Sequence, residues 1–173
     1  MPTSTAVPVE EYLSTDYSPD REYVDGAVVE RNLGERSHSR LQTLVSGYIL
    51  AREREWRVVA LTEQRVQVRA NRFRIPDICV LGEDDPNEPI VRHPPIVCIE
   101  ILSRDDRMSA MKDRIADYLA MGVGHIWFLD PIAGSAFDVT KEGVREVNEE
   151  TLRAAKTEIA LPIAELFRQL QNR

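Results

Sequence analysis

The chain has 173 residues, of which 43% are apolar and 29% charged, and a formal net charge of −7. That length supports one domain with a real core and is too short for two comfortable ones. No apolar run approaches the roughly 18 residues a membrane span needs. Met1–Ala6 has no basic stretch leading into an apolar one, so no secretory signal is expected and the expected compartment is cytoplasmic.

The acidic balance argues mildly against wholesale wrapping of nucleic acid. The charge is unevenly spread, however. Between Arg36 and Pro76 nine arginines stand against three glutamates, a local net of +6 that leaves −13 for the rest. Such a segment is compatible with a phosphate-bearing substrate, and equally with a solvated helix face and hairpin edge.

In chain order, residues 8–14 read as a short helix. Glu22-Tyr23-Val24 and Ala27-Val28-Val29 flank Asp25-Gly26, the commonest two-residue hairpin signal. Ser37 or Ser39 is expected to cap a helix running to about Arg57, in which Leu41, Leu44, Val45, Tyr48 and Ile49 form one apolar stripe. Gln64–Arg69 alternate with Val66 and Val68 inward. Ala70-Asn71-Arg72 should then turn the chain back into a strand over Phe73–Leu81, bringing Asp77 opposite residue 64 or 65. Residues 82–95 are polar and proline-rich, a loop. A strand over Ile96–Leu102 follows, then a helix from about Asp105 to Met121 with Met108, Met111, Ile115, Tyr118 and Leu119 inward. His125–Asp130 is a buried strand, Ala136–Thr140 and Val144–Val147 pair around Glu142-Gly143, and Pro162 begins a last helix reaching about Leu170. The pattern predicts an α/β fold with a central mixed β-sheet of five or six strands flanked by helices, preceded by an N-terminal β-hairpin.

Two carboxylates interrupt the most apolar strands. Phe73, Ile75, Asp77, Cys79 and Leu81 share one face of theirs; Ile96, Cys98, Glu100 and Leu102 share one of the next. A bare carboxylate costs several kcal/mol to bury unless something pairs with it. If the strands are adjacent, both acids can reach one hard divalent ion, Mg2+ or Mn2+, at roughly 2.0–2.6 Å. That ion would polarise a phosphoryl oxygen and lower the pKa of a bound water. The competing reading makes Asp77 and Glu100 salt-bridge residues, which requires an arginine partner for each. Cys79 and Cys98 read as buried reduced thiols. There is no Walker-type phosphate loop, no nucleophile elbow and no paired-cysteine zinc motif. His38, His93 and His125 stand at no ligand spacing.

The ordered set Arg74-Ile75-Pro76-Asp77-Ile78-Cys79-Val80, Pro94-Pro95-Ile96-Val97-Cys98-Ile99-Glu100-Ile101-Leu102-Ser103 and Asp117–Pro131 resembles the Uma-two family of restriction endonucleases, within the PD-(D/E)XK nuclease superfamily. Tyr23-Val24-Asp25-Gly26 and Ser37-His38 are similar too. The likeness runs from about Val9 to Phe167. It implies a restriction-endonuclease-like fold over a single domain of residues 1–173, and Mg2+-dependent cleavage of DNA phosphodiester bonds through a metal-bound water. Asp77 and Glu100 then match the family's acidic metal ligands, with the Ile101 carbonyl as a further ligand.

The resemblance has one departure. The superfamily places lysine two residues after the glutamate, where this chain has Leu102. The corresponding position on the following helix is Arg114, which can stabilise charge on phosphate but is too basic to act as a general base. Lys112 points elsewhere by its angle on the helix. His38 matches a histidine at the edge of the family's site, with a satisfied core histidine as the alternative. Glu63 and Gln64 are accessory candidates near Asp77. Asp130 reads as a turn former, and Tyr118 and Trp127 as core. Two other outcomes stay open: a weakened nuclease fold serving as a nucleic-acid-binding or assembly module, and a phosphodiesterase acting on a small nucleotide. Exposed strands such as Ala136–Thr140 could pair between subunits to give a homodimer.

Overall fold

The computed structural model describes residues 6–31, 34–104, 106, 108–147 and 151–171. The elements in order are α1 (Val9–Ser14), β1 (Arg21–Val24), β2 (Ala27–Glu30), α2 (Arg36–Leu50), α3 (Glu53–Trp56), β3 (Val58–Thr62), β4 (Val66–Arg69), β5 (Arg72–Arg74) and β6 (Ile78–Gly82). Then come β7 (Val97–Ile101), α4 (Met108–Met121), β8 (His125–Asp130), β9 (Ser135–Thr140), β10 (Gly143–Glu146), β11 (Leu152–Arg153), β12 (Ala160–Leu161) and α5 (Ile163–Gln171).

Six strands form the central mixed sheet in the order β10-β9-β8-β7-β6-β3. Only the β7–β8 pair is parallel, and α4 is the crossover between them. Alternation divides its side chains between two cores. On one face Ile78, Val80, Val97, Ile99, Ile101, Trp127 and Leu129 pack under Leu41, Val45 and Ile49 of α2 and Ile163, Leu166 and Phe167 of α5. On the other, Cys79, Leu81, Cys98, Ile126 and Phe128 meet Tyr118 of α4 and Val66 and Val68 of β4. The α2 stripe is fully buried at Leu41, Val45 and Ile49, worth about 1.5–3 kcal/mol per side chain.

A second sheet, β2-β1-β5-β4, carries the N-terminal hairpin. Val24 lies opposite Ala27, and Asp25 and Gly26 both take positive φ, 49° and 95°. That is the primed turn the Asp-Gly pair favours. This sheet packs its own cluster of Tyr12, Tyr23 and Phe73. A buried ionic network locks it to α4. The Arg74 guanidinium donates to Asp117 at 2.7 Å and to Glu22 at 2.8 Å, and Arg72 donates to Asp117 at 2.9 Å.

Several expectations are corrected. Phe73–Leu81 is not one strand: β5 ends at Arg74 in the small sheet, and β6 starts at Ile78 in the large one. Pro76, with no N–H to donate to a ladder, sits at the crossing. Consequently Asp77 does not face residue 64 or 65. Val66 pairs with Arg74, whereas Thr62 of β3 pairs with Ile78, so Asp77 lies beside Glu63. The helix expected to reach Arg57 stops at Leu50, and the chain resumes as α3, ended by Arg57 in the left-handed region at φ 56°. Neither Ser37 nor Ser39 is the N-cap. Glu35 occupies that position and makes no side-chain capping bond. Strand β9, offered as an exposed pairing edge, is flanked by β8 and β10; the exposed edge is β10. Asp105, where α4 was expected to start, and the Met108 side chain lie outside the described residues.

Cys79 and Cys98 are opposed across β6 and β7 as free, fully buried thiols. Burial pushes the Cys79 thiol up to about 12. Among the described residues no helix is long and apolar enough to cross a membrane.

Candidate active site

The β6–β7 register, with Ile78 opposite Ile99 and Cys79 opposite Cys98, carries Asp77 and Glu100 side by side on the α4 face. Both are almost completely buried, at 3% and 4% exposure. The backbone holds Asp77 firmly. Its carbonyl accepts from the Glu63 N–H at 3.2 Å and from Gln42 Nε2 at 3.0 Å. Its Oδ2 accepts the Ile101 N–H at 2.7 Å and lies 3.1 Å from His38 Nε2. Its Oδ1 accepts from Arg31 Nη2 at 2.9 Å.

Glu100 is held from α4. Tyr118 Oη donates to its Oε1 at 2.8 Å, and Arg114 Nη1 stands 3.9 Å from its Oε2. Arg114 also reaches toward Glu22, at 3.4 Å. Burial first, and then the neighbouring Asp77 and Glu22 charges, push the Glu100 carboxyl up to about 7 against the pull of Arg114 and Tyr118. The same attraction to Glu100 drives the Arg114 guanidinium further up, so it cannot lose its proton. For His38, burial alone would lower the imidazole pKa, but the hydrogen bond and charge of Asp77 outweigh it and the net shift is upward.

Arg31, His38, Asp77, Glu100, Ile101, Ser103, Asp106 and Arg114 enclose a recess of about 20 Å³, room for one small ion or water. Arg31, His38 and Asp77 are also walls of a larger groove of about 420 Å³, whose other sides include Tyr17, Gln42 and Glu63. Among the described residues no three His, Cys, Asp or Glu side chains converge on one point. Two carboxylates beside a backbone carbonyl lack the cysteine and histidine donors on which zinc sites are usually built. They suit Mg2+, which keeps several waters and takes one or two carboxylates. The competing salt-bridge reading also finds its arginines: Arg31 lies 2.9 Å from Asp77 and Arg114, less closely, 3.9 Å from Glu100.

A family model described as "Uma2: Putative restriction endonuclease" matches residues 9–168. The chain belongs to the Uma2 family. Among solved structures it resembles a "putative nuclease belonging to DUF820" from Anabaena variabilis, at 23% identity over 94% of this chain and 99% of that one, with a TM-score of 0.80. The likeness extends the nuclease-like α/β fold over nearly the whole chain. No protein of curated function matches.

Of the residues singled out in this Uma2 chain, Asp77, Glu100, Ile101, Arg114 and His38 line one recess. Glu63 stands one step away, tied to Arg31 and, at 2.7 Å, to Gln42 Nε2. Gln64 does not take part: its amide turns to the carbonyls of Arg65 and Pro89. Leu102 is partly buried against the core cluster that includes Tyr118 and Phe128, and Lys112 is exposed. Asp130 caps a turn, accepting from the Ile132 and Ala133 N–H groups. Arg31 and Gln42 were missed. Gln42 follows His38 by one helical turn, a spacing that could have revealed it. Arg31 comes after β2 with no motif to mark it. Tyr118 reads as core from sequence, and it is core, but its hydroxyl also holds Glu100.

Proposed function

We propose that this protein is a divalent-metal-dependent endonuclease hydrolysing DNA phosphodiester bonds, with Asp77, Glu100 and the Ile101 carbonyl as ligands for Mg2+ or Mn2+. The observation that carries the reading is the pair of buried carboxylates on adjacent strands, facing one ion-sized recess that shares walls with an open groove. The bound ion would supply Lewis-acid polarisation of a phosphoryl oxygen and a more acidic coordinated water. The remaining roles fall to the chain. Ile101 N–H and His38 fix the Asp77 carboxylate in one orientation. Tyr118 does the same for Glu100. Arg114, permanently charged and beside Glu100, is placed to stabilise negative charge developing on a phosphate seated above the recess.

Incubating supercoiled plasmid with Mn2+ tests this. Wild type should nick the DNA, and Asp77→Asn and Glu100→Gln should not. The second reading, a weakened nuclease fold that binds rather than cuts, draws on the lack of any lysine among the described residues lining the recess and on Leu102 lying partly buried against the core. It is favoured if wild type takes up the metal and binds DNA yet leaves every substrate intact.

A further inference from the structure

Arg31 lines the recess, yet the metal reading gives it no role. Its guanidinium forks between two acids, Nη2 on Asp77 Oδ1 at 2.9 Å and Nη1 on Glu63. Asp77 Oδ2 already receives the Ile101 N–H and His38. Oδ1 is therefore the oxygen left for an ion, and Arg31 holds it. A cation arriving between Asp77 and Glu100 must compete with a guanidinium whose charge-assisted bond is among the stronger kinds. Arg31 is also a wall of both the recess and the groove. Released from Asp77 it would remain tethered to Glu63, itself held by Gln42, with N–H groups free to meet an anion in the groove. The guanidinium fork matches a phosphodiester as well as it matches a carboxylate.

Resting on the metal-site reading above, we propose that Arg31 is a positioning residue that latches Asp77 Oδ1 until a phosphodiester in the groove draws it away, so that metal and substrate bind cooperatively. Coupling is reciprocal: a phosphodiester should tighten the metal as much as the metal tightens the phosphodiester. Arginine with its fork matters here, not positive charge alone. A lysine would keep the charge but could not bridge Asp77 and Glu63 in the same way.

The test is Mn2+ titration calorimetry with and without excess dimethyl phosphate on wild type, Arg31→Ala, Arg31→Lys and Asp77→Asn, each checked by circular dichroism. Dimethyl phosphate should tighten wild-type Mn2+ binding by about tenfold, within the usual range of coupling between sites. Arg31→Ala and Arg31→Lys should both bind Mn2+ tightly without dimethyl phosphate and respond little to it. Asp77→Asn should lose the metal. If the Arg31 variants keep wild-type affinity and wild-type response, the latch is overturned while the metal site stands. The latch also falls if only Arg31→Ala differs and Arg31→Lys behaves as wild type, since charge alone would then explain the effect. Binding in the Arg31 variants but not in wild type supports a tight latch. No binding in any protein overturns the latch and the metal-site reading together.

Discussion

Replacing Glu100 with glutamine should stabilise the metal-free protein at alkaline pH while removing a ligand of the proposed metal site. The carboxyl is buried and lifted from 4.5 to about 7. A carboxylate with a raised folded pKa costs nothing while both states are protonated. As pH rises through the unfolded value toward the folded one, the unfolded chain releases its proton first and stability falls. The rise corresponds to about 3 kcal/mol lost by pH values well above 7. His38 adds in the same direction: its raised pKa gives stability that is present at low pH and lost as pH climbs through the folded value. Glutamine keeps the acceptor for Tyr118 and carries no charge, so only the His38 part should survive in Glu100→Gln. Urea denaturation in EDTA from pH 4.5 to pH 8.5 is the assay. The two proteins should be close in stability at the acid end and diverge toward about 3 kcal/mol in favour of the variant at the alkaline end. Parallel curves across the range would refute the reasoning, because they would mean that Glu100 titrates normally in the folded state.

Tyr118→Phe removes the donor that holds Glu100 charged, so it should destabilise by about 1–3 kcal/mol and carry the pH-dependent fall in stability to higher pH, as read from the same urea series. Asp117→Asn leaves Arg74 with Glu22 and Arg72 with Asp25 as their remaining carboxylates in the network between β5 and α4, and should cost about 1.5–3 kcal/mol of stability by urea denaturation. On the proposed function, Arg114→Ala should slow Mn2+-dependent plasmid nicking by about a hundredfold or more, and calorimetry should show a change in Mn2+ binding at pH 7 as well, because Glu100 loses the neighbouring charge that pulls its pKa down.

Much of the architecture could be read before any coordinates, because periodicity and turn chemistry carry it. The Leu41–Val45–Ile49 stripe, the Asp25-Gly26 hairpin and the apolar runs at β7 and β8 each specify an element by a repeat of 3.6 or 2 residues. Parity likewise placed Asp77 with Cys79 and Glu100 with Cys98, the relation that brings the two acids together. The failures have physical causes. Phe73–Leu81 is apolar on both faces apart from Arg74 and Asp77, so its periodicity hides the change of sheets, which only Pro76 signals. That crossing moves Asp77 from Gln64 to Glu63. Strand β3, Val58-Val59-Ala60-Leu61-Thr62, lies inside the arginine-rich segment and shows no alternation, and β11 and β12 are two residues each, too short for any period. Arg31 reaches the recess, and Glu22 reaches Arg114 beside it, only through tertiary packing, which no local pattern encodes. The left-handed φ of 51° at Glu63, uncommon for a side chain of that size, is visible only in the fold.

Crystals soaked in Mn2+ together with dimethyl phosphate and measured at the manganese absorption edge test the central claim most directly. The account predicts one anomalous peak in the recess, roughly 2.0–2.6 Å from a carboxylate oxygen of Asp77, one of Glu100 and the Ile101 carbonyl, with Arg31 moved off Asp77. Full manganese loading of the crystals with no peak there, and with Arg31 still bridging Asp77 and Glu63, would contradict it.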